Sequence, residues 1–83
     1  MLTVYVSRQN WEKAVRVLDV LLAAWPDSAG EYRQRGLAHL YLNHARTARA
    51  DLERYLELAP RAGDRGEVEQ QVHELGRYLA GMN

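Results

Sequence analysis

The sequence predicts an all-α domain made of antiparallel helix hairpins, about five helices in all with the first one truncated. Three observations carry this. Apolar residues recur at helical spacing through most of the chain, and no segment sustains the alternation of a strand. A helix-then-proline phrase is also written twice, 34 residues apart, as RVLDVLLAAWP at 16–26 and ADLERYLELAP at 50–60. Apolar residues make up 47% of the chain and charged residues 27%, which suits a folded chain rather than a disordered one. With 83 residues there is room for one small core, burying roughly 60% of the surface that the unfolded chain exposes.

Each element follows in order. Residues 2–6, LTVYV, amount to a turn and a half of helix, too short to hold except by packing. Trp11, Ala14, Val15, Leu18, Leu21, Leu22 and Trp25 then form a stripe along one helix face. Asn10 is placed to cap its start, and Pro26 ends it by forcing Trp25 out of the α region. Ser28 and Glu31 read as a capping box opening a second helix that runs to about Leu42, with Tyr32, Gly36, His39 and Leu40 inward. A break at Asn43-His44 leads to a third stripe of Ala45, Ala48, Leu52, Tyr55 and Leu56, closed by Pro60. RAGDRG at 61–66 is a turn, and Asp64 with Glu67 repeats the capping pattern. A last helix from about Arg65 to Ala80 places Val68, Val72, Leu75 and Leu79 inward. Its other face (Glu67, Glu69, Gln70, Glu74 and Arg77) is that of an end cap facing water. The organisation expected is a partial repeat over 1–26, a full repeat over 27–60 and a capping helix over 61–83.

The pairs Ala14 and Ala48, Leu18 and Leu52, Leu22 and Leu56, and Pro26 and Pro60 all share the 34-residue interval. The chain therefore resembles the tetratricopeptide repeat family, whose unit has that length and contains two antiparallel helices. In the second unit Gly36, Ala48 and Pro60 match the family's signature as they stand, while Tyr32 and Leu52 are close substitutes. Arg35 and His39 depart from the Leu and Tyr of that signature. Gly36 and Ala48 are small where two helices approach closely, and the large residues fill the space beside them.

Three stretches point further: Trp11-Glu12-x-Ala14, Tyr32-Arg33-x-Arg35-Gly36-Leu37, and residues 51–60, DLERYLELAP. In these the chain resembles the C-terminal helical tail of bacterial transglutaminase-like proteins, which carry a tetratricopeptide region after a papain-like catalytic domain. Arg35 is at home in that family, whereas His44-Ala45-Arg46 departs from it. The resemblance implies an accessory region whose catalytic Cys, His and Asp belong to a preceding domain.

Little in these residues suggests chemistry. There is no cysteine, hence no disulfide, thiolate metal site or cysteine nucleophile. None of His39, His44 and His73 stands four residues from another, and His39 and His44 flank the turn between two helices, so neither a metal nor any other cofactor is expected. Glu53 and Glu57 lie on an outer helix face, where solvated carboxylates lack the shifted acidity that general acid–base catalysis needs. Without a nucleophile–base pair or a glycine-rich phosphate loop, the domain is not expected to be an enzyme.

The 11 basic and 11 acidic residues balance, which argues against bulk attraction to nucleic acid or to a membrane surface. No stretch approaches the ~18 apolar residues of a membrane span, and MLTVYVSRQN lacks the features of a secretory signal, so a cytoplasmic setting is expected. Residues 1–50 nevertheless carry seven basic and four acidic side chains, and residues 51–83 carry four and seven. Between Tyr32 and Ala50 lie Arg33, Arg35, Arg46 and Arg49 and no acid.

The expected function is a protein–protein interaction module that binds a protein or peptide. The family resemblance implies a concave face lined by Thr3, Val6, Arg33, Leu37, Leu40 and Tyr41, with Arg33 able to meet a carboxylate. The apolar edge at Leu2, Val4 and Tyr5 is the expected docking edge, for an upstream domain or for a second copy in a homodimer. An excised fragment of a longer protein explains that edge better than a frayed native end. The alternatives are the tail of a papain-like enzyme, inactive by itself, and a small structural homo-oligomer.

Overall fold

The computed structural model describes residues 8–82 as four helices: α1 (Arg8–Ala24), α2 (Ala29–Tyr41), α3 (Ala45–Leu58) and α4 (Arg65–Ala80). Among the described residues there is no strand, and neighbouring helices pack in chain order: α1 on α2, α2 on α3 and α3 on α4. The all-α class and the hairpin architecture are as the 34-residue period predicts, with α2 and α3 forming one complete hairpin. The truncated first helix expected at residues 2–6 lies outside the described residues.

The core is a row of small and medium side chains that lets the helices approach closely. Leu18 and Leu22 of α1, Ala38 of α2, Ala48, Leu52 and Tyr55 of α3 and Val68 of α4 are all buried, as is Leu42 just after α2. Around Leu52, Tyr55 and Val68 pack the half-buried Tyr32, Leu40, Leu56, Val72 and Leu75. Gly36 sits where α2 crosses α3. A Cβ there would lie 2.9 Å from Leu52 Cγ and 3.3 Å from the Ala48 carbonyl oxygen, so the backbone contact leaves no room for a side chain.

The turn joining α2 to α3 is a Schellman motif. The His44 amide donates to the His39 carbonyl at 2.8 Å and the Asn43 amide to that of Leu40 at 3.1 Å. Asn43 takes the left-handed conformation (φ 62°) that the motif demands and that asparagine tolerates better than most residues. The sequence break expected at Asn43-His44 is thus a tight, fully hydrogen-bonded reversal.

Four local expectations fail. Asn10 does not cap α1 but lies inside it, because the helix already includes Arg8. Trp25 is 62% exposed: α1 ends at Ala24, one residue before the stripe would have carried the indole inward. Ser28 and Asp64 occupy the N-cap positions of α2 and α4, yet neither side chain caps its helix. For Asp64 the reason is visible, since its carboxylate is engaged elsewhere, accepting hydrogen bonds from Arg33 and Tyr55.

Candidate interaction surface

Helix α2 is central to the described residues, and its side chains leave in three directions. The first leads to an ion cluster. Arg35 grips Asp51 of α3 with two parallel bonds, Nε to Oδ2 and Nη2 to Oδ1, both 2.8 Å, and reaches back to Asp19 of α1 with Nη1, also at 2.8 Å. One guanidinium thereby ties three helices together. Asp51 is only 4% exposed and receives both prongs of this fork, and the two carboxylates in turn hold the Arg35 guanidinium protonated more firmly than usual. The arginine that departs from the tetratricopeptide signature is therefore a structural staple. Its partner Asp51 is buried and lies outside the arginine-rich stretch in sequence.

The second direction leads to α1. Tyr41 stacks on Trp11 with ring centroids 4.3 Å apart and planes 4° from parallel. With Ala14, Leu18, Leu37 and Ala38 the two rings line a recess of about 320 Å³ open to one side. The third leads to α4, where Leu40 faces Leu75 and Tyr78 across a smaller recess of about 210 Å³, with Asn43 and Ala45 beside it. Tyr78 is 60% exposed, so the α4 wall of this groove is an aromatic face open to solvent.

The residues expected on one concave face are therefore divided. Leu37 and Tyr41 line the α1–α2 recess, while Leu40 lines the α2–α4 groove. Arg33, expected to meet a partner's carboxylate, already holds Asp64 of its own chain, and Tyr55 donates its hydroxyl proton to the same carboxylate. Thr3 and Val6, and the docking edge Leu2, Val4 and Tyr5, lie outside the described residues. Sequence reading missed Tyr78 and the aromatic partnership of Trp11. Tyr78 belongs neither to the inward stripe of α4 nor to its charged face, and an aromatic left between the two was the available signal.

The Tyr55 and Arg33 bonds hold the Asp64 carboxyl below the usual carboxylate range, the tyrosine bond contributing most. A depressed folded-state value makes the cluster stabilising above the unfolded carboxyl's range and progressively less so as pH falls below about 4. Thermal unfolding should show Asp64→Asn less stable than the wild type at pH 7, with the gap closing as the solution is acidified below that range. A gap that stays constant would remove Asp64 from the cluster.

One further pair is unexpected. His39 Nδ1 and His44 Nδ1 stand 3.1 Å apart, the rings tilted by 42°. The expectation that the α2–α3 turn keeps them apart is wrong, because the Schellman reversal brings residue 44 back over residue 39. His39 is buried, and burial first of all lowers its proton affinity, with the neighbouring His44 and Arg35 acting in the same direction and Asp51 and Asp19 against it.

A 34-residue helical period, small residues at the α2–α3 crossing and open apolar recesses beside α2 define a helical-repeat module. The family model of the tetratricopeptide repeat matches residues 2–73, and the chain belongs to that family. Among curated proteins it is 43% identical over 58 residues to a UPF0162 protein of Xylella fastidiosa (strain 9a5c), and 41% identical over 58 residues to the UPF0162 protein of strain Temecula1 / ATCC 700964. Each match covers 70% of this chain and 21% of the relative, so the matched part spans about a fifth of the length of either protein. No solved structure matches the chain.

Proposed function

We propose that the protein is a protein- or peptide-binding module of tetratricopeptide type, serving as the accessory region of a larger protein, and that the α2–α4 groove is its contact surface. The observation that carries this is the pairing of Leu40 with Leu75 and the exposed Tyr78 across an open recess. A half-open apolar recess with an aromatic on its wall suits an anchor side chain, and aromatic residues contribute disproportionately at protein interfaces. Gln71 and Glu74 stand at the same rim beside Leu40, Leu75 and Tyr78, where they can fix the orientation of an entering segment. Catalysis, in this reading, lies outside these residues. The resemblance read in the sequence to the tail of transglutaminase-like proteins implies that division, and the match to only a fifth of its relatives' length goes with it. A cytoplasmic setting is part of this proposal; among the described residues no helix is long and apolar enough to cross a membrane.

Tyr78→Glu tests the groove, because an exposed position can take the charge without loss of the fold. The variant should melt with the wild type, yet lose at least about 2 kcal/mol of affinity, roughly 30-fold, for whatever partner copurifies with the wild type. Unchanged retention of the partner by a folded variant would move the contact surface elsewhere.

A further inference from the structure

We infer that His39 and His44 form a two-ligand site for a divalent transition metal of the zinc, nickel or copper class. The two residues read His-x4-His (HLYLNH at 39–44), a spacing within the His-x3–5-His range of structural zinc sites, though here it bridges a helix end rather than lying along a helix. What makes the spacing effective is the turn. The Schellman reversal puts His39 and His44 at the two positions that the motif brings together, where an apolar contact is the rule. This chain puts an imidazole at both, and their Nδ1 atoms meet at 3.1 Å.

At that separation the rings share a single hydrogen bond, one Nδ1–H donating and the other Nδ1 accepting. A metal ion 2.0–2.1 Å from each nitrogen would span the same gap at an N–metal–N angle of about 100°, close to what tetrahedral and octahedral ions accept. Binding requires the donating ring to carry its proton on Nε2 instead, which exchange through solvent provides, and the two rings to turn their lone pairs toward a common point. Burial of His39 and the neighbouring Arg35 work against added positive charge here, while Asp51 and Asp19, both bonded to Arg35, work for it. His44 is exposed, so an ion can reach the pair from solvent. Two nitrogens fill half of a tetrahedral shell, leaving the remaining positions to water or to ligands from a partner. Among the described residues no third His, Cys, Asp or Glu completes the set, so the site is a chelate of two and not a closed structural centre.

The experiment uses the 83-residue chain free of any polyhistidine tag, titrated with zinc chloride alone and followed by calorimetry and by the imidazole NMR signals. His44→Gln removes one ligand at an exposed position and should leave the fold intact, while His73→Gln controls for the exposed histidine of α4. The result expected is one ion per chain, shifts in the His39 and His44 signals, an affinity about tenfold or more weaker in His44→Gln, and no change in His73→Gln. Absence of saturable binding up to about 1 mM zinc, equal binding by His44→Gln, or loss of binding in His73→Gln would each overturn the assignment.

Discussion

Arg35→Ala should destabilise the protein by about 3–5 kcal/mol, close to the limit of what a domain of this size tolerates. The loss is not that of three hydrogen bonds as such. Asp51 is 4% exposed and receives both prongs of the Arg35 fork, so truncation leaves a buried carboxylate without its charged partner. The Asp19 bond contributes less, because the Asp19 side chain is 55% exposed and solvent takes over its role. Two further variants separate these causes. Asp51→Asn in the Arg35→Ala background removes the buried charge and should restore part of the stability, whereas Asp19→Asn alone should cost under about 1 kcal/mol. Arg35→Lys should fall nearer to the alanine variant than to the wild type, since an ammonium cannot present two parallel donors to Asp51 while also reaching Asp19. Urea unfolding of the four variants decides the matter: an Arg35→Ala protein within 1 kcal/mol of the wild type would mean that the fork holds nothing together.

Leu52→Ala should cost about 2–5 kcal/mol and, within that range, lie toward the upper end. Leu52 is fully buried, and it fills the space opposite Gly36 at the α2–α3 crossing while packing with Tyr55 and Val68. A cavity there removes contacts with both the α2 backbone at Gly36 and the side chains of Tyr55 and Val68. Trp11→Ala should cost less than a fully buried tryptophan would, since the indole is only half-buried and stacks on a tyrosine that is 65% exposed. Unfolding curves that order the two variants the other way would place the core at the α1–α2 recess instead of at the crossing.

Much of the fold was legible because periodicity is an average over many residues. The 34-residue interval, the inward stripes of α2, α3 and α4 and the smallness of Gly36 and Ala48 all reflect close helix packing, and each reappears in the burial pattern. What escaped notice depends on single geometries. Trp25 continues the α1 stripe on paper, but a helix that ends at Ala24 no longer carries it inward. Asp64 has the sequence context of a capping residue, yet its side chain makes no cap bond and accepts instead from Arg33 and Tyr55, donors on other elements. Arg35 and Asp51 are 16 residues apart, and their pairing depends on the crossing of α2 and α3, which no local pattern records. The candidate surface was less legible for the same reason. Leu37, Leu40 and Tyr41 share one helix, but α1 and α4 approach it from different sides and divide them between two recesses.

The division bears on function, because it places the exposed aromatic Tyr78 and not Arg33 at the centre of the groove reading. Arg33 is occupied by Asp64, so a partner's carboxylate would have to displace an internal one before binding there. An apolar anchor entering between Leu40 and Tyr78 displaces only water.

The most direct measurement is site-specific photocrosslinking in the native cell, with a photoreactive amino acid at position 78 in the full-length protein and, as control, at the exposed position 16 of α1. A discrete crosslinked protein or peptide from position 78 and none from position 16 is the result expected of a docking groove. Equal crosslinking from both positions, or none from position 78, would contradict it.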